Sequence, residues 1–214
     1  VDEMVNKVDT KVIQEHKLGD RAPCPIIFDP TGDSTTNLAK ILNALDNRVK
    51  VKSISFGPTI SQDTETDSGW DLPAKALVLD VVVLVETADS GVSLDVGLKS
   101  SETGGDADGF LDGVSLGSTG LVQGALSVTK TAGTNENYIS AVSCTRGVLL
   151  RYLEYELGTD TAGDHGFVAY ERKPYYAGSA TAKSVTYTPK GGDLDSGKGK
   201  IYIVYADLSQ AGEL

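Results

Sequence analysis

The hydrophobic pattern changes its period once along the chain. Before residue 49 the one regular pattern is helical. In STTNLAKILNALDN (34–47), Leu38, Ile41, Leu42 and Leu45 fall at i, i+3, i+4 and i+7, and Ser34 or Asp33 stands where a cap belongs. This predicts one short amphipathic helix over about residues 35–46, which needs a surface to pack on. Ahead of it, RAPCPIIFDPTGD holds three prolines that impose an extended path. Residues 1–33 therefore read as an arm, and 1–48 as a unit distinct from 49–214.

From Val49 the period is two. VKVKSISF (49–56) alternates. In KALVLDVVVLVET (75–87) the odd positions Leu77, Leu79, Val81, Val83 and Val85 are apolar, while Asp80 and Glu86 fall on even ones. In GVSLDVGLK (91–99), Val92, Leu94, Val96 and Leu98 alternate with polar residues. The short TADSG between these two segments reads as a hairpin turn. Further strands are expected in 120–130, 147–157, 166–173, 182–189 and 200–208, about eight in all, separated by Gly- and Asp-rich loops. The segment 147–157 also has helical spacing at Leu150, Leu153 and Leu157, but Tyr152 and Tyr155 favour strand. The expected fold is mainly β: an antiparallel β-sandwich of jelly-roll type, with an N-terminal arm and one short helix.

Charge narrows the function. The 214 residues carry a net charge of −11, and no Lys/Arg block stands out. Binding to a phosphate backbone needs clustered cations, so no direct nucleic-acid contact is expected. No apolar run reaches membrane-spanning length, and VDEMVNKVDTKV at the N-terminus lacks a signal-peptide pattern. Cys24 and Cys144 form no disulfide framework and leave a single bridge open.

Several stretches suggest chemistry. GGDADGFLDG (104–113) sets Asp106, Asp108 and Asp112 among glycines, like a calcium loop of the D-x-D-x-D-G-x-x-D type with Gly104 in place of the first acid. The competing and favoured reading is a solvated turn in which glycine supplies positive φ. GVSLG (113–117) matches G-x-S-x-G at Ser115. No helix pattern follows it, His16 lies in the arm, and Asp164 is a sequence neighbour of His165, so a hydrolase triad is not expected. GGDLDSGKGK (191–200) approaches a P-loop but opens a strand and reads as a hairpin loop. The histidines and cysteines lack zinc spacing. Tyr152, Tyr155, Tyr170, Tyr175, Tyr176, Tyr187, Tyr202 and Tyr205 crowd the C-terminal half. They suit cross-strand pairs better than a sugar-stacking platform. Trp70 reads as a plug at the sheet edge.

The strand pair ALVLDVVVLVETADSGVSLDVGLKSS, the following GDADGFLDGVSLGSTGLV and the ending KSVTYTPKGGDLDSGKGKIYIVYADL resemble the small β-sandwich decoration, or head-stabilising, proteins of tailed bacteriophages. That resemblance implies a non-enzymatic virion protein made in the host cytoplasm. It would sit on the capsid exterior, bind the major capsid protein, self-associate as a homotrimer and use its arm on neighbours. It carries over no catalytic residue and no cofactor. The alternative expectation is a carbohydrate- or receptor-binding module of a phage tail, assisted by calcium.

Overall fold

The computed structural model describes residues 49–133, 137–159, 165–178 and 181–208, all within the unit Val49–Leu214. The expected arm, the helix at 35–46 and Cys24 lie outside the described residues. Among those described, the fold is mainly β and antiparallel, and its one helical element is a 3-10 turn, Val148–Leu150.

Thirteen strands are described: β1 Lys50–Phe56, β2 Thr66–Leu72, β3 Ala76–Thr87, β4 Ser93–Leu98, β5 Asp106–Ser115, β6 Gly120–Gln123, β7 Leu126–Ala132, β8 Asn137–Cys144, β9 Arg151–Glu156, β10 Phe167–Arg172, β11 Tyr175–Tyr176, β12 Lys183–Lys190 and β13 Lys198–Asp207. One sheet has the order β1-β13-β3, with β6 and β11 sharing the far edge of β3. The second has the order β2-β12-β4-β5. Two further ribbons, β7–β8 and β9–β10, belong to neither sheet. Of these strands, β2, β5, β8 and β11 were not expected; in β2 and β5 glycine and acids interrupt the apolar residues.

The two sheets share one core. Ile54, Phe56, Val81, Val83, Val85, Ile201 and Ile203 come from the first, and Leu94, Val96, Leu98, Val114, Val185 and Tyr187 from the second. Phe56 meets Tyr187 at 6.4 Å between ring centroids. Burying each such side chain contributes about 1.5–3 kcal/mol. Trp70 packs on Tyr205, rings 5.6 Å apart, with Lys52 above its ring, beside the edge strands β1 and β2.

Two expected hairpins are instead crossings between the sheets. β3 pairs with β13, β6 and β11, whereas β4 pairs with β12 and β5, so TADSG carries the chain from one sheet to the other. The stretch 191–197 does the same between β12 and β13. The two crossings are tied together. The Asp89 carboxylate accepts the N–H groups of Asp195, Ser196 and Gly197 at 3.0, 2.9 and 2.9 Å. The P-loop-like segment thus cradles an anion, and the anion is the chain's own Asp89. The amides of Ser196 and Gly197 hold the Asp89 carboxyl below its usual pKa against a small opposing effect of burial.

The expected phase of β3 holds for only part of its length. Val204 faces Asp80 and Tyr205 faces Val78, so Leu79 is an extra residue, a bulge. Val81, Val83 and Val85 point to the core as expected, but before the bulge the core positions are Ala76 and Val78. Leu77 is half-buried and Leu79 is 41% exposed. One inserted residue shifts the alternation, and with it every side chain beyond.

Candidate functional site

The outer faces of the two sheets differ in chemistry, and each follows from the alternation along its strands. On the first sheet, the residues between the core positions are mostly apolar on β3 and β13 (Leu77, Val82, Leu84, Tyr202, Val204 and Ala206), with Tyr176 on β11, and mixed on the flanking strands: Val51 with Ser53 and Ser55 on β1, and Leu121 with Gln123 on β6. Several cross-strand partners match apolar to apolar: Val51 with Val204, Tyr202 with Val82, Leu84 with Leu121, and Leu77 with both Ala206 and Tyr176, while Ser53 faces Tyr202, Gln123 faces Val82 and Lys200 faces Leu84. Leu121 is 71% exposed, Val51 62% and Tyr176 50%. Lys200 and Glu86 lie on this face and neutralise each other at 3.7 Å.

On the second sheet the same positions are polar. Thr186, Thr188 and Lys190 alternate with the core residues of β12, and Asp95 and Lys99 with those of β4. Glu65 accepts the Thr186 hydroxyl at 3.0 Å and the Ser100 amide at 2.8 Å. Lys99 pairs with Asp67 at 3.1 Å, and Lys190 with Asp63 at 2.9 Å and Asp95 at 3.8 Å.

The GGDADGFLDG stretch lies at the border of this polar face. It is neither an isolated turn nor a simple loop: from Asp106 onward it is β5. Leu98 faces Asp106 while Val96 faces Leu111, so β4 spends one residue where β5 spends four, and the excess bulges. Glycines permit this. A Cβ on Gly97 would stand 2.0 Å from the Asp106 carbonyl oxygen, and one on Gly147 would stand 2.2 Å from the Asp108 carbonyl oxygen. A second bulge sets Asp112 and Gly113 opposite Asp95, whose carboxylate accepts the Gly113 N–H at 2.7 Å.

The acids here push on one another. A hydrogen bond shared with Asp108, then burial, raises Asp106 to about 6. Burial, against the Gly113 amide, raises Asp95. Burial, then the charge of Asp108, raises Asp112. Among the described residues no group of three or more His, Cys, Asp or Glu side chains is placed to hold a metal ion. Asp106 and Asp108 are brought together, and Asp112 lies beyond the bulge.

A buried ion pair escaped the sequence reading. Arg146, 1% exposed, donates to the Asp80 carboxylate at 2.7 Å. Asp80 sits beside the β3 bulge, between the stretches of β3 paired with β6 and β11. Burial disfavours the Arg146 charge, but the Asp80 hydrogen bond and charge outweigh it and raise the pKa above its usual value. The chain around Arg146 bridges the two sheets: Leu111 on β5 pairs with Arg146, Asp112 N–H donates to the Thr145 carbonyl, and Gly147 N–H to that of Phe110. An Asp inside an apolar strand was the available signal for this pair.

The remaining expected sites disperse. Ser115 ends β5 opposite Ser93, and its hydroxyl accepts the Gly117 N–H at 3.2 Å. His165 accepts through its backbone from Ile139, beside the β9–β10 ribbon. Tyr187 and Tyr205 belong to the core, and Tyr175 packs edge-on against Phe110 at its margin. Tyr202 and Tyr176 are on the apolar outer face. Tyr152 and Tyr155, three apart on β9, fall on opposite faces of their ribbon. No single tyrosine platform results. Cys144 is buried, its sulfur 3.7 Å from the Arg146 carbonyl oxygen.

The sequence matches no protein-family model, and no curated protein or solved structure is found similar to it.

Proposed function

We propose that this chain is a non-enzymatic structural protein of a virion, a decoration or cement protein that binds and stabilises a capsid surface. Its fold is read as a jelly-roll β-sandwich. The strand order supports that reading. Setting aside the inserted β7–β11, eight strands remain, with sheet orders first-eighth-third-sixth and second-seventh-fourth-fifth. Two interlocked Greek keys give this order, an architecture used by viral capsid and lectin domains. The chain crossings between the sheets at TADSG and 191–197 belong to the same pattern.

The observation that carries the functional reading is the apolar outer face of the first sheet. A contiguous exposed apolar face with its charges paired off marks a protein-binding surface. The inserted ribbons support the same reading, because two-stranded ribbons are marginal alone and gain stability against a partner. The site of action is then the capsid exterior, after synthesis in the host cytoplasm, with the major capsid protein as partner.

The test is co-sedimentation with capsids lacking the protein. Binding that saturates at a fixed stoichiometry is expected. No binding to capsids, together with glycan binding lost in Tyr152→Ala or Tyr155→Ala, would replace this reading with the receptor-binding one.

A further inference from the structure

The far edge of β3 is covered in two pieces. β6 pairs with it from Val82 onward and β11 up to Val78, so Leu79, Asp80 and Val81 have no strand beside them on that edge among the described residues. Arg146 meets Asp80 in this interval. Its backbone is held in place by the bridge to Leu111 and by the chain at Gly124, where a Cβ would stand 2.5 Å from the Arg146 Cα. The guanidinium side chain is 1% exposed, while the Asp80 side chain keeps 25% exposure, so solvent reaches the pair at the sheet edge.

The pair uses only part of what the arginine offers. Nη1 donates to Asp80, whereas Nε and Nη2 are buried without a hydrogen-bond partner. Those two nitrogens form one edge of the planar group, the edge that gives both oxygens of a carboxylate parallel hydrogen bonds. The Tyr170 hydroxyl lies beside the guanidinium, and it too is buried without completing a hydrogen bond. Buried donors left unmade are costly, most of all on a charged group, and such groups in a native protein call for an acceptor. Here they belong to two separate elements, the Arg146 segment and β10, and they adjoin one another.

We infer that the Nε–Nη2 edge of Arg146 and the Tyr170 hydroxyl form a binding site for a small free carboxylate, with Asp80 holding the other side of the same cation. Charge selects this class. The site has one cation and already one anion, so a phosphate dianion would set two further negative charges near Asp80, and a carboxylate sets one. Burial selects the size, since an arginine covered on nearly all sides leaves no path for a carboxylate carried on a folded partner. Entry goes through the β9–β10 ribbon that carries Tyr170. The ribbon pairs with neither sheet, and two-stranded ribbons open locally at low cost.

The test is the melting temperature of the full chain titrated with sodium formate up to about 50 millimolar, with sodium chloride holding the ionic strength constant. A ligand of so few atoms reaches a dissociation constant on the order of 1 millimolar at best. At about tenfold over that constant a rise of about 3–6 °C relative to chloride is expected. Tyr170→Phe keeps the ring and removes one donor, and formate binding should weaken about tenfold. Asp80→Asn keeps an acceptor for Arg146 and removes the competing negative charge. Its formate binding should tighten about tenfold even though the variant is less stable without formate, a gain that a purely structural ion pair would not give. If Asp80→Asn does not fold, Tyr170→Phe decides alone. A wild type that melts alike in formate and chloride, a formate response unmoved by Tyr170→Phe, or weaker formate binding in Asp80→Asn overturns the proposal. Neither capsid nor glycan enters the experiment, so its failure is distinct from a failure of the functional reading.

Discussion

The two sheets use the same strand chemistry on the inside and opposite chemistry on the outside. Inward, both present Val, Ile and Leu at every second residue. Outward, β3 and β13 carry Val82, Leu84, Tyr202 and Val204, with Lys200 at one end, while β4 and β12 carry Asp95, Thr186, Thr188 and Lys190, with Lys99 following β4. An antiparallel sheet usually alternates apolar with polar where one face is wet; the second sheet alternates in this way, although Asp95, Thr186 and Thr188 on its outer side are themselves buried. The first sheet departs from that rule along β3 and β13, whose outward Leu77, Val82, Leu84, Tyr202 and Val204 adjoin Val51, Leu121 and Tyr176 on the flanking strands, and this makes its outer face a candidate interface rather than a scatter of exposed residues. The contrast extends to the defects. The β3 bulge on the apolar side turns a single acid, Asp80, toward a buried cation. The β5 bulges on the polar side collect several acids, of which Asp106 is raised by its hydrogen bond to Asp108 and Asp95 and Asp112 chiefly by burial.

Breaking the buried pair is the most severe way to disturb the apolar side. Asp80→Ala leaves Arg146 buried without its carboxylate and is expected to cost about 3–5 kcal/mol in urea unfolding, whereas the paired change Asp80→Leu with Arg146→Met costs far less. Equal losses in the two would show that the ion pair itself contributes nothing special. On the polar side the corresponding lesion is steric. Gly97→Ala drives a methyl group into the Asp106 carbonyl, 2.0 Å from where the new carbon would stand, and about 2–3 kcal/mol of destabilisation is expected. A neutral result would mean that the β5 bulge rides freely over β4.

A smaller and pH-dependent effect isolates the acids. Asp106 is raised to about 6 in the folded protein, above its unfolded value, so the folded state binds this proton more tightly. Its contribution to stability is fully present below the unfolded pKa and is lost as pH rises through about 6. Asp106→Asn should therefore stabilise the protein by about 1 kcal/mol near pH 8, after allowing for solvent screening, with the gain vanishing toward pH 4. Glu65, Asp67 and Asp89, whose pKa values are lowered, act in the opposite sense: their stability is present above the unfolded pKa and lost on acidification. The difference between variant and wild type, measured by denaturation across pH, separates Asp106 from them. A difference that does not vary with pH would mean that Asp106 and Asp108 do not share a proton.

The smallest expected change is in the monomer's own stability when the apolar outer face is made polar. Leu121→Glu should shift the folding free energy of the monomer by less than about 0.5 kcal/mol, as for other exposed positions. A loss of several kcal/mol in denaturation experiments would mean that the face is part of the fold, and the contrast between the two sheets would lose its functional meaning.

Much of this was legible in the alternation of residues. Val81, Val83 and Val85, and Val92, Leu94, Val96 and Leu98, point to the core as their period of two requires, because a strand has only two faces and one of them must be dry. Two strands rich in glycine and acid, β2 and β5, were hidden, since their pairing is decided by the neighbours β12 and β4 rather than by their own hydrophobicity. The bulge at Leu79 was also invisible: an unbroken apolar run reads in either phase, and only the register against β13 selects one. Local sequence likewise does not distinguish a hairpin from a crossing to the other sheet. Five residues serve for either, and the choice rests on which strands bury the most surface together. What the sequence by itself determined is the mainly β class, the inward residues of β4 and of β3 beyond its bulge, and the acidic balance. Which residues share an outer face and that Asp80 meets Arg146 depend on contacts between residues far apart in the chain, and the tertiary structure alone brought them together.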